Sequence, residues 1–244
     1  MIDLRNNQLG DAGVAKMFEA LRNPEVIKKS ALTAIVLWNN KITAAGMDTI
    51  TAALCENPHL ETLNIGSNPL GESGVQRLRP ALGANGSNLR RLGLQNTQMT
   101  CQSAILLAEC LADNSTLIRV DLRDNPAIGS AGLLAIHSAM KINESISLLN
   151  LDQSCVVPTN AKCGTTSVGE CAVVQVRQYQ EDFRRYYEDI KRYCERNKLA
   201  ALQKADVSSE IVGIDVTLVS EKSDVKEGNA SCSDSVAGSF SVFF

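Results

Sequence analysis

The sequence predicts an α/β solenoid in which short strands and helices alternate, and three observations carry that prediction. First, the aliphatic pattern L-x-x-L-x-L-x-x-N-x-L recurs along the chain. Its central Leu or Ile falls at Leu37, Ile65, Leu94, Leu122 and Leu151, a nearly constant step within the range of known leucine-rich repeats. Second, the latter half of each unit carries apolar residues at i, i+3, i+4 and i+7, the period of a helix. Third, aromatic residues are only 4% of the 244, while hydrophobic residues are 44%. Aliphatic side chains stack at a fixed pitch more readily than rings, and residues 1–171 hold only Phe18 and Trp38 as aromatics.

The first unit reads Ile2, Leu4, Asn7, Leu9, without a leading leucine, and its helix covers Ala12 to Leu21. An insertion from Asn23 to Ser30 makes the step from Leu4 to Leu37 longer than the others. The second unit is Leu32, Ile35, Leu37, Asn40, Ile42, and the third is Leu60, Leu63, Ile65, Asn68, Leu70 with a helix from Gly74 to Leu82. The fourth has Leu89, Leu92, Leu94 and Met99, with Thr97 in the Asn slot. The fifth has Leu117, Val120, Leu122 and Asn125, then one extra residue before Ile128. The sixth has Ile146, Leu149, Leu151 and Val156, with Ser154 in the Asn slot. The stretch L-x-L-x-x-N-x-L-G-x-x-G from Leu63 to Gly74 is that of the long leucine-rich repeat of the ribonuclease-inhibitor type. Residues 1–171 are therefore expected to form a right-handed horseshoe arc of about six repeats, the first truncated, with a parallel sheet on its concave face. The slot Asn is expected to bond backbone groups of its own and adjacent turns; Thr97 and Ser154 do so less completely.

Asn57, Asn85, Asn114 and Asn143 recur at one phase, three of them in N-x-Ser/Thr sequons. A helix-end Asn explains that spacing directly, with glycosylation as the sharper alternative. Residues 156–171, with Pro158, Gly164 and Gly169, read as a loop. Residues 172–204 read as a capping helix whose apolar face carries Val176, Tyr179, Phe183, Tyr186, Ile190, Tyr193 and Leu202. Pairs Glu181/Arg185, Arg184/Glu188, Arg185/Asp189 and Glu188/Arg192 support its outer face at i,i+4. Eight basic against five acidic residues over 173–204 also fit a partner-docking helix. Residues 205–244, with seven acidic and two basic residues, read as a disordered acidic tail. Within it, Ile211 to Val219 is a candidate strand or aggregation-prone stretch, and Phe240 to Phe244 an exposed apolar end. The first repeat shows no cap, so the chain reads as a fragment of a longer solenoid.

The net charge of −3 gives no general attraction to nucleic acid or anionic membrane. No apolar run approaches the length that a membrane-spanning helix needs, and residues 1–7 form no leader h-region. The eight cysteines include no CxxC pair, which suits reduced, mostly buried thiols and a cytoplasmic protein, with the nucleus as a further compartment. Cys163, Cys171 and Cys194 lack the spacing of a zinc site. Two histidines, no phosphate-binding glycine loop and no triad point away from an enzyme, a cofactor or a small-molecule substrate. Gly83 to Gly86 reads as a helix-to-strand turn. What remains is surface recognition of a protein partner, with neither nucleic acid nor membrane as ligand. The alternation of each strand turns Asp3 and Arg5, Val36 and Trp38, Asn64 and Gly66, Arg91, Gly93 and Gln95, Arg119, Asp121 and Arg123, and Asn150 and Asp152 onto the concave face. From these, Arg5, Trp38, Asn64, Arg91, Gln95, Arg119, Asp121, Arg123 and Asp152 are the candidate partner-binding residues, because Trp and Arg are common interface anchors.

Several stretches share their wording with one family: Val36-Leu37-Trp38-Asn39-Asn40, Leu60 to Pro69, Leu92-Gly93-Leu94 with Met99-Thr100-Cys101, and Val120 to Asn125. Together with Ile190, Cys194, Arg196 and Asn197 in the cap, over about residues 2–202, the chain resembles the protein phosphatase 1 regulatory subunit 37 family. That resemblance implies a leucine-rich repeat protein that partners and inhibits the phosphatase 1 catalytic subunit. Family members carry a docking motif of the type Lys/Arg-Val-x-Phe ahead of their repeats, and nothing in residues 1–204 replaces it. Val242-Phe243-Phe244 offers the apolar half of such a motif without its basic residue. The alternatives are a general solenoid scaffold or adaptor for another protein, and an activator like the leucine-rich repeat proteins that act on Ran-type GTPases.

Overall fold

The computed structural model describes residues 1–84, 86–152 and 170–219. Six strands form one parallel sheet in chain order: β1 (Ile2–Asp3), β2 (Ala34–Val36), β3 (Thr62–Asn64), β4 (Arg91–Gly93), β5 (Arg119–Asp121) and β6 (Leu148–Asn150). Between them run the helices α1 (Gly10–Leu21), α2 (Pro24–Lys29), α3 (Met47–Glu56), α4 (Gly71–Leu82), α5 (Cys101–Asp113) and α6 (Gly129–Ile142), followed by α7 (Glu170–Val219). Register follows the repeat step. Ile35 lies opposite Leu63, Leu63 opposite Leu92, Leu92 opposite Val120 and Val120 opposite Leu149. These residues and Leu37, Ile65, Leu94, Leu122 and Leu151, two places along each strand, are all buried. One apolar core runs from Val14 and Phe18 to Ile190 and Cys194 between the sheet and the helices.

The slot asparagines tie each turn to the one before. The Asn68 side-chain carbonyl accepts the Asn40 and Ile42 backbone N–H groups at 2.8 and 3.0 Å, and its amide donates to the Leu37, Ile65 and Gly66 carbonyls. Asn40 and Asn125 repeat the arrangement toward Asn7 and Leu9, and toward Thr97 and Met99. Thr97 makes only part of it: its hydroxyl donates to the Leu94 carbonyl at 2.8 Å, while the Leu70 N–H turns back to the Asn68 carbonyl. A second asparagine ladder runs at the helix ends. Asn57, Asn114 and Asn143 cap α3, α5 and α6 and donate to the carbonyls of Leu21, Leu82 and Leu111 in the preceding repeat. Their backbones are extended rather than left-handed. Asn114 and Asn143 are 4% and 2% exposed, so these two sequons present no free amide for a glycan; Asn85 lies outside the described residues.

Where each strand ends, the chain turns through left-handed residues at Asn6, Asn39, Ser67, Asn96 and Asp124, four of which are Asn or Asp, residues that tolerate this conformation. Gly71, with φ +59°, reopens the chain into α4, as Gly10 and Gly129 do for α1 and α6. The insertion after α1 is the short helix α2, with Pro24 in its first turn and Asn23 accepting the Glu25 N–H at 2.9 Å.

Several expectations require correction. α7 runs from Glu170 to Val219, not 172–204, and covers residues 205–219 that were expected to be disordered. Ile211 to Val219 is therefore helical rather than a strand. Between Glu170 and Val219 the sequence has no proline and a single glycine, Gly213, so nothing in it stops the helix. Met1–Leu202 form one compact unit and the chain from Gln203 a second. Leu202, assigned to the buried face, is 54% exposed, and Asn197 is the last buried residue among those described on α7. The four i,i+4 pairs expected along α7 give way to i,i+3 pairs, Asp182–Arg185 at 3.2 Å, Glu188–Lys191 at 3.9 Å, Glu195–Lys198 at 3.6 Å, and Asp189–Arg192. Both spacings make neighbours on a helix; here Asp189 also faces α6, where His137 Nε2 lies 3.1 Å from its carboxylate. The Arg192 guanidinium, and then His137, hold the Asp189 carboxyl below its usual range. Cys110 and Cys194 are buried, as expected of most thiols, but Cys55 is exposed. Ser154, Val156, the 156–171 loop up to Gly169, Cys163 and residues 220–244 lie outside the described residues, and Cys171 is described only as part of the helical backbone.

Candidate protein-binding face

The six strands turn one face toward the helices and leave the other free of any described element. The alternation of each strand puts the candidate residues on this open face in three parallel rows. The row before each core residue holds Ala34, Thr62, Arg91, Arg119 and Leu148. The middle row holds Asp3, Val36, Asn64, Gly93, Asp121 and Asn150. Two residues further on stand Arg5, Trp38, Gly66, Gln95, Arg123 and Asp152. All nine sequence-predicted residues therefore share one face, but their side chains are engaged very differently.

At β1 and at β5 a carboxylate is clasped by the arginine two residues along. Arg5 Nε and Nη2 donate to the Asp3 carboxylate at 3.0 and 2.7 Å, both side chains being exposed in part, and the Arg5 bond draws the Asp3 carboxyl below its ordinary range. Asp121 and Arg123 repeat the clasp at 2.9 and 2.5 Å, and Asp121 also accepts the Arg123 backbone N–H and the Asn150 amide. Asp121, expected to meet a partner, is instead only 4% exposed with its oxygens committed; it fixes Arg123, whose guanidinium it raises above the ordinary arginine value. Gln95 donates to the Asp124 carboxylate, and Asp152 accepts the Asp124 backbone N–H at 2.9 Å. These two bind the turns of neighbouring repeats to one another.

Between the clasps the middle row and the row of Trp38 carry no charged side chain. Trp38 projects onto it and lies across Gly66: a Cβ at Gly66 would run into the indole Cζ3 and Cε3. Asn64 does the same over Gly93, where a Cβ would stand 2.8 Å from its Cγ and Oδ1, while its carbonyl accepts the Gly66 N–H at 3.0 Å. Gly66 and Gly93 are buried on an otherwise open face because these neighbours cover them. Sequence reading placed Trp38 outward but gave the two glycines no role. The available signal was their position opposite Trp38 and Asn64 in the repeat register.

Arg91 stands directly opposite Arg119. Arg91 is exposed and has no side-chain partner among the described residues. Along the rim, Asn39 donates to Asn6 at 2.8 Å and Asn96 to Ser67 at 3.2 Å, so the turns are stitched from repeat to repeat. On the opposite layer, Arg22–Glu56 at 2.7 Å, Arg79–Glu109 at 3.0 Å and Arg77–Asp48 link successive helices; such exposed pairs contribute little each. Among the described residues no group of three His, Cys, Asp or Glu is placed to hold a metal, and no helix is long and apolar enough to cross a membrane. The face offers fixed hydrogen-bonding groups, one aromatic surface and guanidinium charge, which is chemistry of recognition.

A family model for leucine-rich repeats matches residues 2–18, 56–78 and 113–136. A protein phosphatase 1 regulatory subunit 37 homolog from Caenorhabditis elegans is 52% identical over 208 residues, 85% of this chain and 20% of the relative. The homolog from Caenorhabditis briggsae is 60% identical over 67 residues, 28% of this chain and 7% of the relative. The chain thus spans a fifth or less of these relatives. A ribonuclease inhibitor from Sus scrofa is 33% identical over 57% of this chain and 30% of the inhibitor. Among solved structures, the actin-binding site 2 region of leiomodin-1 superposes with a TM-score of 0.61 at 14% identity, covering 81% of this chain and 96% of that one. The tropomodulin C-terminal domain of Caenorhabditis elegans gives 0.52 at 16%, covering 76% and 98%. At such identities the structural likeness is one of fold.

Proposed function

Since this chain belongs to the protein phosphatase 1 regulatory subunit 37 family of leucine-rich repeat proteins, we propose that it is a protein-binding regulatory module that engages the phosphatase 1 catalytic subunit and restrains it. The observation that carries the reading is 52% identity over 85% of the chain to a relative of that name. The geometry supports it in kind. Asp3, Arg5, Asp121, Arg123 and Asp152 on the open face are held by hydrogen bonds to neighbouring residues, and a surface preset in this way loses little freedom on binding a protein. The relatives are regulatory or repeat-scaffold proteins, which accords with a module that binds rather than transforms. A cytoplasmic location belongs to the same proposal.

Calorimetric titration of the purified chain with the phosphatase 1 catalytic subunit, run beside an assay of phosphopeptide dephosphorylation, tests it. Saturable binding with slowed turnover is the expected outcome. Absence of heat in the titration overturns the proposal. Binding without slowed turnover leaves a docking module and removes the inhibitory part.

A further inference from the structure

Resting on the reading that the open face binds protein, we propose that Trp38 and Arg91 form a preset two-point anchor for an acidic partner segment carrying a large aliphatic side chain, with Gly66 as the residue that positions the anchor. Trp38 is the protein's only tryptophan. It is half-buried, because one part of the indole rests over Gly66 and the remainder is open. No described ring or cation stacks on it. A large side chain left partly uncovered gains little for the fold, yet this one is held flat by a glycine that leaves it the space of a missing Cβ. An indole pinned in this way needs no ordering when a partner covers it, so more of its contact area is realised as affinity.

The charges around it select the partner. An indole face attracts either apolar groups or cations. A cation is disfavoured here, since the Arg5 guanidinium stands in the same row one strand away. The carboxylates that might receive a partner's cation are occupied: Asp3 by Arg5, Asp121 by Arg123 and Asn150, Asp152 by the Asp124 N–H. Arg91 is exposed and without a side-chain partner among the described residues, so its guanidinium is left to pair with a carboxylate of an acidic segment. Trp38, two residues past β2, and Arg91 on β4 are two strand spacings apart and offset by four residues along the strands, a separation of about 16 Å, which an extended segment spans in about five residues.

The test uses the full chain and a short tryptophan-free peptide alternating Glu and Leu, with a Lys–Leu peptide of equal length as its opposite. Trp38 fluorescence then reports its own site, and anisotropy of a labelled peptide reports binding in variants that lack the indole. The Glu–Leu peptide should bind and shift Trp38 emission, and the Lys–Leu peptide should not. Trp38→Ala should weaken binding about tenfold, as expected of an aromatic anchor. Gly66→Ala should do the same with the indole still present, and should move the emission of the free protein toward that of an exposed tryptophan. Arg91→Gln should weaken binding several-fold and reduce its salt dependence. Circular dichroism of each variant guards against a folding defect; if Gly66→Ala fails to fold, Trp38→Ala and Arg91→Gln decide. Absence of Glu–Leu binding, equal binding of both peptides, or undiminished binding by the folded variants overturns the inference. No phosphatase is present in this experiment, so the two proposals stand or fall separately: phosphatase binding unchanged by Trp38→Ala and Gly66→Ala would also overturn this one while leaving the former intact.

Discussion

A buried asparagine is destabilising unless every polar atom is used, and the slot positions show how completely that can be arranged. Asn68 is 1% exposed and makes five hydrogen bonds to backbone, two received and three donated. Its removal would strand the Asn40 and Ile42 N–H groups and the Leu37 and Ile65 carbonyls in the interior, while the Gly66 carbonyl keeps the Asn39 N–H; each lost bond is worth about 0.5–1.5 kcal/mol. Asn68→Ala should accordingly lower the unfolding free energy by about 3 kcal/mol, read as a shift in the urea midpoint at unchanged slope. A loss below about 1 kcal/mol would mean that water satisfies these groups. Thr97 illustrates the same chemistry at half measure, since one hydroxyl cannot replace an amide that both gives and receives. Glycine acts on the other face in the opposite sense. Gly66 and Gly93 contribute by having no side chain where Trp38 and Asn64 need the room.

At the level of elements, α7 ends the repeat array by imitating what a further repeat would supply. Asn197 donates to the Asn143 and Ile146 carbonyls at 3.0 Å each, the kind of bond that Asn143 itself makes to Leu111 one repeat earlier. Arg196 adds bonds to the Met140, Lys141 and Asn143 carbonyls at 3.3, 3.1 and 2.6 Å, placing a positive charge at the C-terminus of α6, where the helix dipole favours it. Ile190 and Cys194 bury the apolar flank, and His137 lies between Tyr186 and Tyr193 at 5.0 and 5.7 Å. Asn197→Ala removes the side-chain donor to the buried Ile146 carbonyl. It should lower stability by about 2 kcal/mol and loosen the tyrosines, visible as a weakened near-ultraviolet dichroism signal. A melting temperature equal to that of the parent would show that α7 is held by its apolar flank alone.

On the scale of the whole molecule, each repeat touches only its neighbours, so stability is a sum along one dimension. β1 pairs with β2 alone, whereas β3, β4 and β5 have a hydrogen-bonded strand on both sides. Amide exchange should therefore be fastest at Leu4 and Asn6, whose N–H groups bond β2 and the Trp38 turn, and slowest in β3 to β5. Mass spectrometry on peptic fragments would resolve this gradient; uniform protection would mean a single cooperative unit.

The repeat step alone dictated the parallel sheet, the strand order and the buried residues, because a pattern returning at so constant an interval admits one stacking in which all its leucines are covered. It also put Trp38 and its companions on the open face, since strand side chains alternate. It did not reveal that Asp121 is taken up by Arg123, that Leu202 is exposed, or that α7 continues to Val219. Periodicity tells which way a side chain points and is silent on which atoms meet it there. Those meetings join residues a whole repeat apart in the chain, and they exist only once neighbouring turns have been brought to strand spacing. Tertiary structure therefore decided which outward groups are left to meet a partner.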